Sequence, residues 1–186
     1  MGLWQRLGSV FKNDRQAAQP LRRDPKVAVR VLMVCLGNLC RSPTAEAVLA
    51  HLAVQAGLGR VIEIDSCGLS ASNRGEPPDR RAREAAARRG YSMDDLRTRR
   101  FDRDDLNYFE YVIAMDREVL ETLQGYCMTP VQDAKLHLLL DYAPQLPERE
   151  VPDPYFGGRS GFERVLDLIE PAATGLLAHL RREYRL

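Results

Sequence analysis

No stretch of the 186 residues stays apolar for the roughly 18 positions that a membrane-spanning helix needs. Nor does the start, "MGLWQRLGSVFKNDRQAAQP", read as a signal peptide, because its apolar residues are scattered rather than continuous. Histidine is scarce: His51, His137 and His179 stand far apart, and no C-x-x-C pair accompanies them, which argues against a zinc site. The chain is therefore expected to be cytoplasmic, with its four cysteines mostly reduced and no metal or other cofactor.

A large excess of one charge is also missing. The net charge is +1, but residues 1–30 carry seven Lys/Arg against two Asp, and the other 156 residues carry 20 against 24. No basic stripe falls on the expected folded body, so nucleic acid is not an expected partner. In residues 1–12, Leu3, Trp4, Leu7, Val10 and Phe11 keep helical spacing beside Arg6 and Lys12. An amphipathic helix touching a membrane or a partner is one reading, and a loosely ordered extension is the plainer one. Residues 1–26 are thus read as a basic extension and 27–186 as one domain, long enough for a sizeable core.

Four short apolar runs read as strands: 27–34, 61–65, 110–115 and 134–140. Helical patterns separate them. Pro43 opens the first helix and Gly57 ends it, while Asp79 starts the second and Gly90 stops it. Asp102 begins a short third helix and Asp116 a fourth. In the last, Ser160 and Glu163 form an S-x-x-E capping box, and Phe162, Val165, Leu166, Ile169, Ala173, Leu176, Leu177 and Leu180 line one buried face. Pro171 interrupts that helix and should kink it or cost a backbone hydrogen bond. Strands alternating with helices predict a single three-layer α/β domain: a four-stranded parallel sheet flanked by helices. Ligands of such sheets bind at the carboxyl ends of the strands.

"VLMVCLGNLCRSPTAE" occupies that place after the first strand. Cys35 ends the strand, Gly37 and Asn38 tolerate left-handed backbone angles, and Arg41-Ser42-Pro43 starts a helix. A loop curled this way points backbone N–H groups inward at a helix N-terminus, which makes an oxyanion cradle that Arg41 can close by bidentate bonding to phosphate. Cys35 at its base, with a hydrogen bond from Ser42, is expected to react as a thiolate. It would attack phosphorus and form a phosphocysteine. Cys-x5-Arg is weak evidence by itself, because Arg is abundant here. A buried strand-end cysteine and a surface arginine explain the pair equally well. Ester cleavage also needs an acid for the leaving oxygen, and Asp153 stands out in "VPDPYFGG", clamped by Pro152 and Pro154 with Tyr155 and Phe156 as aromatic walls. An ordinary turn is the commoner source of such a segment.

Taken together, "VCLGNLCRSPTAEAV", "IDSCGLSASNRGEPPD", "YVIAMD" and "VPDPYFG" resemble the low-molecular-weight protein tyrosine phosphatases over about residues 28–182. The resemblance implies hydrolysis of phosphotyrosine in proteins, with Cys35 as nucleophile, Arg41 as phosphate clamp and Asp153 as general acid. It places substrate against the loop Leu36, Gly37, Asn38, Leu39 and Cys40, against Ser42, and against Tyr155 and Phe156. It gives Ser66 and Asp116 supporting roles. A phosphotyrosine protein is the implied partner, with a tyrosine kinase as a candidate. Cys40, separated from Cys35 by four residues in a curled loop, is expected to resolve an oxidised Cys35 by disulfide formation, as the resemblance also suggests.

Three positions depart from the family pattern. Ser72 stands where an aromatic usually flanks the substrate ring, Leu96 where a histidine often supports the loop, and Cys67 where a small residue is usual. Arsenate reductases share the cradle but relay a disulfide through further cysteines, a pairing that Cys67 and Cys127 do not form. Protein arginine phosphatases carry a threonine where Leu39 stands. A non-catalytic phosphotyrosine-binding module would need neither Cys35 nor Asp153.

Overall fold

The computed structural model describes residues 23–70 and 72–186, so the amphipathic spacing at 1–12 lies outside the described residues. Arg23 donates to the carbonyls of Asn107 and Tyr108 and pairs with Glu110, which ties the chain to the folded body from that residue onward.

Four parallel strands, β1 (Val29–Cys35), β2 (Ile62–Gly68), β3 (Tyr111–Ala114) and β4 (Leu136–Leu138), lie in the order β2-β1-β3-β4. Every residue of β1 is buried because helices cover both faces of the sheet. Side chains alternate along the strand. Val29, Val31 and Met33 pack with residues of α1 (Arg41–Gln55), α2 (Arg80–Arg88) and α6 (Arg159–Tyr184). Leu32 and Val34 pack on the other face with Leu106 of α3 (Asp105–Tyr108) and with Val119 and Leu123 of α4 (Arg117–Gln124). The expected three layers are therefore present. The chain leaves β1 toward β2 on one side and later returns to β3 on the other. The carboxyl end of β1 is thus the switch point where such sheets bind ligands.

Local signals held where a side chain or backbone angle dictates a boundary. Asp79 caps α2 by accepting from Arg81 N–H at 2.8 Å, and Asp116 caps α4 by accepting from Val119 N–H at 2.8 Å. The chain turns at Gly57 and Gly90 with φ of 75° and 86°, angles that suit glycine. Elsewhere the structure corrects the reading. The capping box does not form: α6 starts at Arg159 with Gly158 as N-cap and no side-chain cap. Glu163 is drawn away to Arg88 and Arg89. The third helix begins at Asp105, because Asp102 spends its carboxylate on the turn, accepting from Asp104 N–H at 3.0 Å. The run 134–140 is strand only over β4. Leu139–Tyr142 is a 3-10 turn packed under α6, and a short apolar run cannot distinguish the two. One element was not anticipated, the single turn α5 (Pro130–Asp133), capped by Thr129. Helix α6 continues through Pro171, which costs the hydrogen bond its missing N–H would donate rather than ending the helix.

Candidate active site

Immediately after β1 the backbone turns at Asn38, whose φ is 54°. Asparagine is among the few non-glycine residues that tolerate this region. The turn aims Asn38 N–H at Cys35 Sγ, 3.2 Å away, and Ser42 Oγ lies 3.1 Å from the same sulfur. Ser42 has one proton and two acceptors in reach, Cys35 Sγ and the Cys67 carbonyl at 3.2 Å. Negative charge on the sulfur would draw that proton to it.

Asn38 is the hub of the loop. Its amide nitrogen donates to Ser42 Oγ at 3.0 Å and to Ser66 Oγ at 2.8 Å, and its Oδ1 accepts from Arg99 N–H at 2.9 Å. The three positions expected to shape the loop, Asn38, Ser42 and Ser66, are thus joined and buried. From the segment where Leu96 departs from the family pattern, the loop is held by Arg99. Leu96 packs at the edge of the core, whereas Arg99 also binds Asp65 and the buried Asp105, each at 2.9 Å. An arginine among 24 in the sequence gives no signal of this role.

Gly68, at the end of β2, lies under the same loop. A Cβ there would stand 2.7 Å from Asn38 N and from the Gly37 carbonyl carbon, and 2.9 Å from Leu36 O. These are backbone atoms and have no rotamer to change. Gly68→Ala should therefore lift the loop and lower kcat/KM by about 10²-fold, in keeping with a displacement near 1 Å. It should also cost about 1–3 kcal/mol of stability from overpacking. Steady-state kinetics beside thermal denaturation checks this, and an alanine variant with native kinetics contradicts it. Glycine at a strand end was a usable sign of close backbone approach.

Glu46 of α1 completes this shell. Burial, and secondarily Asp65, push its carboxyl up to about 7, against the pull of a hydrogen bond with Ser66 and the charge of Arg99. Its proton affinity is thus higher folded than unfolded, so stability falls as pH rises from the ordinary glutamate range to about 7. Glu46→Gln should flatten that fall and be more stable than wild type by about 1–3 kcal/mol above neutrality. Thermal melts of both proteins from about pH 5 to about pH 8 test this, and parallel curves would count against it.

Arg41 opens α1 and is buried to 5% exposure. Its Nη1 donates to Asp116 Oδ2 at 2.5 Å and to the Val151 carbonyl at 3.1 Å, and its Nη2 donates to Asp153 Oδ2 at 3.0 Å. Asp116 therefore does two jobs, capping α4 with one oxygen and anchoring Arg41 with the other. Asp153 is brought to the loop across 112 residues of sequence, its second oxygen accepting from Tyr155 N–H at 3.0 Å. A cavity of about 410 Å³ adjoins these groups, lined among others by Leu36, Arg41, Leu69, Asp116, Val151 and Asp153. Leu36 is 48% exposed, while Tyr155 and Phe156, expected as aromatic walls, are 43 and 98% exposed and do not line this cavity. Ser72 is exposed and bonds locally to Asn73.

The remaining thiols sort by position. Cys40 is buried in the same core cluster as Cys35, and burial, with Asp79 second, pushes its thiol up to about 12. Cys67 is buried in the cluster on the opposite face of the sheet. Cys127 hydrogen-bonds the Leu123 carbonyl near the end of α4. Among the described residues no cluster of His, Cys, Asp and Glu could hold a metal ion.

The chain is similar to known proteins in sequence and in fold. A low molecular weight protein-tyrosine-phosphatase of Streptomyces coelicolor is 41% identical over 156 residues, 83% of this chain and 94% of its own. A solved protein tyrosine phosphatase of Entamoeba histolytica superposes with a TM-score of 0.80 at 35% identity, covering 83% of this chain and 98% of that one. A Drosophila arginine phosphatase gives a TM-score of 0.75 at 34% identity, covering 81% and 97%. The family model for the low molecular weight phosphotyrosine protein phosphatases matches residues 30–186, and the chain belongs to that family.

Proposed function

We propose that this chain hydrolyses phosphotyrosine in proteins through a phosphocysteine on Cys35. The reading rests above all on Arg41, which joins the loop around Cys35 to Asp153 through a 3.0 Å hydrogen bond. Three of the five guanidinium donors are committed to Asp116, Val151 and Asp153, leaving the Nε–H and the second Nη2–H for phosphate oxygens. Loop N–H groups from Leu36 to Arg41 take the other oxygens. Cys35 Sγ attacks phosphorus in line, and the bond to the tyrosine oxygen breaks as the S–P bond forms. Asp153 Oδ2 gives its proton to the departing phenolate. Water, deprotonated by Asp153, then attacks the phosphocysteine and releases phosphate. Charge on the transferring group stays on Arg41 and the backbone donors throughout.

Turnover on phosphotyrosine, phosphoserine and phosphoarginine peptides tests the substrate class. Phosphotyrosine should be preferred, and a preference for either of the others would overturn the reading. An arginine phosphatase is the second reading, favoured by the Drosophila neighbour. Leu39 speaks against it, because an apolar side chain suits an aryl ring better than a guanidinium. A binding module without turnover would have no use for Cys35 and Asp153 together. A cytoplasmic location and a tyrosine kinase partner belong to this reading, and cell fractionation and co-purification test them. Among the described residues no helix is long and apolar enough to cross a membrane.

Oxidation of Cys35 is expected to end in a disulfide with Cys40, whose shared cluster places the thiols on one side of the sheet. Burial pushes the Cys40 thiol up to about 12, which leaves little of it as the attacking thiolate. After peroxide and then dithiothreitol, wild type should recover more activity than Cys40→Ser. Equal recovery without a Cys35–Cys40 link removes this role.

A further inference from the structure

Arg81, in the first turn of α2, takes no part in the chemistry above, yet it contacts both Asp79, next to the loop around Cys35, and Tyr155, in the segment that bears Asp153. Asp79 grips it with Oδ1 on Nε at 3.1 Å and Oδ2 on Nη2 at 2.8 Å, while Oδ1 also accepts from the Arg81 N–H. Asp79 in turn donates its own N–H to the Leu39 carbonyl, in the loop around Cys35, at 2.9 Å. The guanidinium held this way lies over two rings, 4.8 Å from the centroid of buried Phe162 in α6 and 5.5 Å from that of Tyr155. The N–H of Tyr155 is the one that holds Asp153 Oδ1.

The segment that bears the acid has few anchors. Val151 fixes its start through Met115 and Arg41, and Pro154 is buried, but Pro152, Asp153, Tyr155, Phe156 and Gly157 are exposed. Packing of Arg81 against Tyr155 is what ties the exposed part of the segment to α2. The charge of Arg81 is not spare for a ligand, since both oxygens of Asp79 are bonded to it. A planar fork can be gripped edge-on by a carboxylate while its face meets aromatic rings, and lysine can do only part of this.

We propose that Arg81 is a positioning residue for the proton-transfer step. Through Tyr155 it fixes the Asp153 segment, and through Asp79 it keys that segment to the loop around Cys35. This rests on the reading of Asp153 as the general acid.

The experiment compares Arg81→Ala, Arg81→Lys and Asp153→Ala on two substrates. One is a phosphotyrosine peptide, whose leaving oxygen needs a proton. The other is a nitrophenyl phosphate, whose leaving group departs without one. Arg81→Ala should lower kcat/KM for the peptide by about 10–100-fold, as a misplaced catalytic group does, and spare the nitrophenyl ester. Arg81→Lys should recover only part of the loss. In an Asp153→Ala background Arg81→Ala should add little, because the step it serves is already gone. Thermal melts accompany each variant, and Arg81→Lys carries the test if the alanine variant does not fold. Equal losses on both substrates, or losses that add to those of Asp153→Ala, would overturn the positioning role alone. If Asp153→Ala itself shows no dependence on the leaving group, the acid assignment falls and takes this proposal with it.

Discussion

Cys35→Ser should abolish turnover, by on the order of 10⁴-fold or more, while phosphate or vanadate still binds. The two effects separate because different atoms carry them. The sulfur at the base of the loop accepts from Asn38 N–H and lies 3.1 Å from Ser42 Oγ, whose proton would turn to it as negative charge develops there. A serine hydroxyl in the same place is a far weaker nucleophile than a thiolate. Anion binding belongs to the loop N–H groups and to Arg41, and Arg41 is oriented by Asp116, Val151 and Asp153 rather than by Cys35. Calorimetric titration with phosphate beside an activity assay checks both halves. Residual activity within about tenfold of wild type would remove Cys35 from the nucleophile's place.

Asp153→Ala should produce the second largest loss, about 10²–10⁴-fold, and only for esters whose leaving oxygen is basic. Its carboxylate stands where a proton could be delivered, held on one oxygen by Tyr155 N–H and on the other by Arg41. A series of aryl phosphates graded by leaving-group acidity measures this. The variant's rate should fall steeply as the leaving group becomes more basic, whereas wild type should be nearly flat. An equal loss across the series would assign Asp153 to holding Arg41 instead.

The sequence announced those parts of the site whose chemistry needs an unusual residue at a fixed place. Cys35 at the end of a buried strand, Asn38 at a left-handed turn and Arg41 at a helix start could each be picked out from their neighbours. Asp153 could be chosen from 26 carboxylates because two prolines flank it. The parallel sheet followed from strands alternating with helices, whereas the order β2-β1-β3-β4 had no mark in the sequence.

What stayed hidden depends on where distant segments meet. Arg99 reaches Asn38 with its backbone N–H, which every residue but proline has, so no residue type marks the contact. Glu46 looks like any helix glutamate, and only its burial against β2 and Ser66 sets it apart. Arg81 was legible as part of a helix begun by Asp79, but its contact with Tyr155 spans the fold. The capping box failed for the converse reason. Ser160 and Glu163 satisfy a local rule, and the partnership of Glu163 with Arg88 and Arg89 of the α2 region prevailed over it.

The most direct test of the account is to catch the covalent intermediate. Wild-type protein is mixed with an excess of a phosphotyrosine peptide carrying labelled phosphate, quenched within milliseconds, and the modified residue is mapped by peptide mass spectrometry. Label is expected on Cys35, more of it in Asp153→Ala if hydrolysis of the intermediate slows more than its formation, and none in Cys35→Ser. Label on any other residue, or steady turnover with no label on Cys35 at any quench time, would contradict it.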